Sequence, residues 1–188
     1  QIGILSGVLS FLGQLMLPKT GFVLFPKLEK KTVLMAISIG ALGAIVIIIS
    51  DALVFKRAME TINPEYSFSF IYFLSSILYG GIIEEVIMRL FLLTGIVFIL
   101  QLITKKRSNT NVLIAILLSS ILFGVGHLPA MALLTDLTAI IILRTILINM
   151  IPAIGFGYLY VKKGLSYSII AHIMTHVVLQ LLLGPILL

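Results

Sequence analysis

The chain contains no cysteine and no tryptophan, and only 11% of its residues are charged. Without cysteine there are no disulfides and no thiolate metal ligands, and redox usage says nothing of compartment. Six tyrosines without a tryptophan leave the interfacial aromatic belt uninformative. The scarcity of charge excludes an ordinary soluble surface, which carries about 25% charged residues. What fills the space is apolar: 60% of the chain is hydrophobic, against about 45–50% in soluble domains, and mean hydropathy is +1.23. A polytopic membrane protein follows. Spans of about 20 residues leave room in 188 for an all-α transmembrane bundle of about six to seven helices, with no separate soluble domain. The net charge of +6 sits in short loops between apolar runs, so it is a topology signal and no nucleic-acid footprint.

Hydrophobic patterning predicts helices at 2–17, 33–55, 68–102, 111–134, 138–161 and 165–187. Residues 2–17 read as a first span, since neither a basic n-region nor a small-residue cleavage site accompanies them. The stretch 68–102 would run to about 50 Å as one helix, against a hydrocarbon core of about 30 Å. A break at Gly80-Gly81 is therefore expected, with a shorter helix before it and a spanning one after. Basic residues alternate along the chain. Lys19, Lys27, Lys30, Lys31, Lys105, Lys106, Arg107, Lys162 and Lys163 fall on one side. Lys56 and Arg57, offset by Glu60 and Glu65, fall on the other with the loop near Asp136. The bias places the loops at 18–32, 103–110 and 161–164 in the cytoplasm, and both termini outside. No internal repeat or linker divides the chain, so residues 1–188 form a single transmembrane domain.

Two carboxylates break the apolar pattern. Glu84 and Glu85 stand side by side in GGIIEEVIMRLFLL, with Arg89 four positions on. Each such charge costs about 2.5–3.5 kcal/mol at the centre of a membrane helix, so ionisable groups there mark function by default. A Glu85–Arg89 pair would neutralise itself, but it leaves Glu84 unexplained. All three histidines also lie inside apolar segments: His127 in SSILFGVGHLPA, His172 and His176 in SIIAHIMTHVV. Residues four apart on a helix are about 40° apart, so Glu85 shares a face with Arg89, and His172 with His176. Glu84 points about 100° away from Glu85, free to aim at another partner.

The three blocks, Glu84-Glu85-x-x-x-Arg89, Phe123-x-x-x-His127 and His172-x-x-x-His176, occur in the order EExxxR, FxxxH, HxxxN/D. That order resembles the CPBP (Abi, type II CAAX prenyl protease and bacteriocin-processing) family of intramembrane endopeptidases. The resemblance covers about residues 68–185, the catalytic core. Two positions depart from it: His176 stands where the family usually has Asn or Asp, and Met88-Arg89-Leu90 replaces Phe-Arg-Gly. The resemblance implies peptide-bond hydrolysis within the membrane. Glu84 would then be the general base on a water, aided by His127; Glu85 would be held by Arg89; and His172 and His176 would donate to the oxyanion. It also implies a peptide or protein substrate in contact with the bilayer. For a small, very basic chain it implies a bacterial plasma membrane, with a secreted peptide precursor expected before a prenylated CAAX protein.

His127, His172, His176 and Glu84 are equally a three-His, one-carboxylate set for Zn²⁺, with Glu85 left as base, so the cofactor is either none or a divalent metal. Two further readings belong to other classes. A catalytically silent relative acting as a membrane-complex partner is favoured by His176. A metal or proton transporter would also need buried carboxylates and histidines, but would favour paired broken helices and repeat symmetry. Elsewhere the expectations are plain. Arg144 is interfacial, snorkelling or pairing near Asp136; Asn149 and Pro152 bend or pack a helix; and the basic, aromatic segment 18–31 lies on the membrane surface. Helix counts put Glu84 and His127 each about 30 Å from the basic 103–110 loop, toward the outer half. Enzymes of the resembled family open toward the cytosol, so either tilt or orientation has to reconcile the two.

Overall fold

Backbone in lipid must satisfy its own hydrogen bonds, and unbroken Leu/Ile/Val runs do so as helices. The computed structural model describes residues 2–62 and 68–183, and every regular element among them is helical. In chain order these are α1 Ile2–Thr20, α2 Lys30–Leu53 and the short α3 Lys56–Ile62. Then come α4 Phe70–Thr104, α5 Asn109–Gly126, the one-turn α6 Leu128–Met131, α7 Ala139–Lys163 and α8 Leu165–Leu182. Five helical stretches are long and apolar enough to cross a membrane: α2, α4, α5 continued through α6, α7 and α8. Glu65 and the expected end of the last helix beyond 183 lie outside the described residues.

The break expected at Gly80-Gly81 does not occur. α4 runs continuously for 35 residues, and the excess length is taken up by a change of winding. Ser76–Glu84 and Val86–Leu93 follow the wider π-helical turn, a rare form that occurs frequently at functional sites. The two glycines serve contact instead. A Cβ on Gly80 would strike the His176 ring, and one on Gly81 would strike Ile173, so their bareness lets α4 lie directly on α8.

α2 meets α8 in the same manner through Ala36, Gly40 and Ala44, a small-residue stripe at every fourth position, all of it buried. Any side chain on Gly40 would run into the Ala171 carbonyl, and Thr175 Oγ1 donates to the Gly40 carbonyl at 3.0 Å. Gly124 of α5 lies equally close to the backbone of α7 at Ile146. Between α4, α5 and α7 the apolar core gathers Leu90, Leu93, Val97, Ala115, Ile116 and Tyr160.

Three local expectations are corrected. Segment 18–31 is not simply laid on the surface: Phe22 is buried edge-on against Tyr160, with centroids 5.3 Å apart. The Val23 and Leu24 carbonyls accept from the backbone N–H groups of Leu165 and Ser166, capping the start of α8, while Val23, Phe25 and Leu28 stay exposed. Arg144 does not pair near Asp136; it makes a two-pronged pair with Asp51 of α2, both bonds 2.7 Å. The chain also turns at His127, so the helix expected over 111–134 ends at Gly126. Asn149 bonds the Thr145 carbonyl of its own helix at 2.8 Å, and Pro152 sits within continuous α7, packed against Gly43.

Two helix counts lead to the site from the same side. Counted along α4, Glu84 is about 30 Å from Thr104, yet along α8 its neighbour His172 is only about 10 Å from Leu165.

Candidate active site

Glu85 is the hub. It is fully buried on the π-wound part of α4, and every partner the structure gives it comes from a neighbouring turn or helix. Arg89, also fully buried, donates from Nε to Oε2 at 3.1 Å and from Nη2 to Oε1 at 3.5 Å. Ser168 of α8 donates its hydroxyl to Oε2 in a very short contact. His172 Nδ1 stands 3.0 Å from Oε1. A buried carboxylate met by a guanidinium, a hydroxyl and an imidazole is compensated for its desolvation. This arrangement fixes α8 on α4. It also leaves Glu85 no lone pair aimed at a substrate.

Glu84 faces elsewhere. Its carboxylate is 18% exposed and lies 4.0 Å from His172 Nε2. It lines a cavity of about 140 Å³ together with Tyr79, Ile87 and Met88 of α4, Leu122, Phe123 and Gly126 of α5, and His127. The walls are mostly apolar, and among the lining side chains only Tyr79, Glu84 and His127 can form conventional hydrogen bonds.

Aromatic rings fix the histidines. Phe123 meets His127 edge-on with centroids at 4.6 Å, and meets His172 edge-on at 5.8 Å. Phe156 of α7 stacks on His172 at 4.7 Å, and His176 stacks on the other side at 5.1 Å. The Arg89 guanidinium lies over both phenylalanines, 5.7 and 6.0 Å from their centroids. Hydrogen bonds then fix the tautomers. His127 Nδ1 is 2.8 Å from the Phe123 carbonyl, which only accepts, so Nδ1 carries the proton. His172 Nδ1 faces the Glu85 carboxylate and carries its proton for the same reason. In each neutral ring, Nε2 is left with a lone pair.

Five of the six expected residues, Glu84, Glu85, Arg89, His127 and His172, thus join around one junction of α4, α5 and α8. His176 is set apart: its Nε2 is buried without a hydrogen-bond partner, against Gly80, and it does not line the cavity. The four side chains offered as a metal set do not converge, for among the described residues no three His, Asp or Glu side chains are grouped as a metal ion would need. Ser168, Phe156 and Tyr79 were missed. Ser168 had a signal, standing four residues before His172 on the same face, whereas Phe156 and Tyr79 look like any aromatic in an apolar helix.

Fold and site together define a class: membrane helix bundles that bury a tethered carboxylate beside a second one facing a small, largely apolar cavity. The chain belongs to the type II CAAX prenyl endopeptidase Rce1-like family, whose model matches residues 66–178 and so takes in every residue of the site. It is therefore an integral membrane protein of an endopeptidase family, with peptide or protein as the substrate class. Neither the curated proteins nor the solved structures give a match.

Proposed function

We propose that this chain hydrolyses a peptide bond of a membrane-associated peptide or protein, using a water activated by Glu84. The observation that carries this reading is the division of labour between adjacent carboxylates. Glu85 is wholly engaged by Arg89, Ser168 and His172, while Glu84 faces the cavity beside His127. Glu84 accepts a proton from a cavity water, and the oxygen attacks the scissile carbonyl carbon as its π bond opens to an oxyanion. Collapse breaks the C–N bond, and the proton held on Glu84 passes to the departing amine. His127, with its Nε2 lone pair fixed by the Phe123 carbonyl, accepts a hydrogen bond from the same water and orients it.

His172 acts chiefly behind Glu84, as the clasp that holds α8 to Glu85, and His176 extends that stack. A metal-dependent variant of the reaction has one feature in its favour. Metal-bound histidines almost always donate their second nitrogen to a carbonyl or carboxylate, as His127 and His172 do here.

The test is cleavage of a quenched fluorogenic peptide library by purified protein in detergent, wild type against Glu84→Gln, with and without chelator. Glutamate catalysis predicts activity that chelator leaves intact and that Glu84→Gln lowers at least about 10²-fold, the lower end of a general-base contribution. Loss on chelation with recovery on adding Zn²⁺ would assign the histidines as ligands. A folded wild type that cleaves nothing, including a lipid-modified C-terminal peptide, would return the chain to a silent partner role.

A further inference from the structure

Resting on the reading above, we propose that Tyr160 and Thr94 are positioning residues for the hydrolysis: their two hydroxyls, in series, hold the π-wound turn of α4 that aims Glu84 and Glu85. The Arg89 carbonyl accepts from the Thr94 N–H and also from the Thr94 hydroxyl, the latter at 3.0 Å. A carbonyl only accepts, so the Thr94 proton is committed there. The 2.7 Å contact between Thr94 Oγ1 and Tyr160 Oη is then made by the tyrosine proton. All three residues are fully buried, sealed from water that could replace either bond. Arg89 in turn grips Glu85, and Glu85 holds His172, whose Nε2 lies 4.0 Å from Glu84. Neither Tyr160 nor Thr94 lines the cavity, so both act through Arg89.

The reach of Thr94 ties it to the winding. A helical Thr that bonds back does so to the carbonyl four residues before it, as Thr104 does to Leu100 and Thr175 to Ala171. Thr94 bonds five back, the spacing of the π turn that Val86–Leu93 follows. In an α-helix residues five apart turn through about 500° and stand about 140° from one line. Relaxation to α winding would move the Thr94 N–H to the Leu90 carbonyl. It would also turn the half of α4 bearing Glu84, Glu85 and Arg89 against the half packed in the core through Leu93 and Val97. Tyr160 resists that turn because its ring is seated in the same core, edge-on to Phe22 with centroids 5.3 Å apart. Phe22 lies outside the matched residues 66–178, so this support comes from the N-terminal part of the chain.

The experiment compares wild type with Tyr160→Phe, Thr94→Val, Thr94→Ser and the double variant Tyr160→Phe/Thr94→Val, on the fluorogenic peptide that wild type cleaves fastest. Tyr158→Phe is the control, at an exposed position of α7 outside the cavity. Rates are taken in detergent well below the lowest melting temperature of the set, so a role in stability alone leaves kcat unmoved. Displacement of the reacting groups on the ångström scale predicts kcat down about 10²-fold in Tyr160→Phe and in Thr94→Val, with KM unchanged. The double variant falls no further than either single one, since each opens the same chain of bonds. Thr94→Ser keeps the hydroxyl and, like Tyr158→Phe, stays near the wild-type rate. Wild-type kcat in Tyr160→Phe overturns the inference and leaves Glu84 hydrolysis standing. Thr94→Ser as slow as Thr94→Val also overturns it, since packing rather than the hydroxyl would then matter. So do losses that multiply in the double variant, for the two hydroxyls would then act apart. Should Tyr160→Phe not fold, the comparison of Thr94→Val with Thr94→Ser decides alone. If folded wild type cleaves nothing, the hydrolase reading fails and takes this inference with it.

Discussion

At Glu85 one buried carboxylate is met by three groups, and its neighbours differ in what their removal leaves behind. Replacing Arg89 with Met strands a charge in a fully buried place, which costs about 3–5 kcal/mol where a buried pair loses one partner. Arg89→Lys should not rescue it, because an ammonium cannot reproduce the two-nitrogen contact with both carboxylate oxygens. Ser168→Ala removes a single hydrogen bond to a charged group, about 1.5–3 kcal/mol, and leaves Glu85 its guanidinium and imidazole. Thermal unfolding in detergent should rank the variants wild type, Ser168→Ala, then Arg89→Met and Arg89→Lys together. Wild-type melting in Arg89→Met would show that Glu85 is not the hub described. The Glu85–Arg89 pair was legible in the sequence because both ends lie on one helix at a spacing of four. Asp51 was not, and Ser168 only as a position on the His172 face, since their partners Arg144 and Glu85 are 93 and 83 residues away, and only packing of whole helices brings such pairs together.

Between helices, small residues decide how near the chemistry can come. Gly40 allows α2 to touch the α8 backbone at Ala171, the residue before His172. A Val at position 40 must push α8 away, at about 1–3 kcal/mol of overpacking, and carry His172 off Glu85. The expected outcome is a lower melting temperature in detergent and at least a tenfold loss of peptide cleavage. Gly7→Val is the control, since a Cβ there meets nothing within 4 Å. Equal behaviour of the two variants would separate the α2–α8 contact from the site. Helix number and approximate spans were readable from hydropathy. The winding of α4 was not, because a glycine pair signals either a break or a close contact, and the choice rests on what lies opposite. Here His176 and Ile173 of α8 fill that space. The same contact explains the departure at 176: a flat ring stacked on His172 occupies room that the glycine leaves open.

For the molecule as a whole, the unanswered physical question is which side of the membrane the basic loops occupy. Nine Lys and Arg residues on one side against two on the other favour cytoplasmic loops at 103–110 and 161–164. The site is reached from one side of the bundle along two helices: Glu84 lies far along the long α4 from Thr104, and His172 a short way along α8 from Leu165. Orientation therefore determines which leaflet lies nearer the site. The absence of native cysteine makes this measurable without background. Single replacements Lys105→Cys and Lys163→Cys should react with a membrane-impermeant maleimide only after the cells are opened. Leu133→Cys, at an 87% exposed position beyond α6, should react in intact cells. The reverse pattern would invert the bundle, because all three positions sit at or beyond the ends of the spans and cannot exchange sides independently. It would leave the Glu84 cavity as described but present it to a substrate arriving from the opposite face, so labelling and cleavage together decide where the substrate must be made.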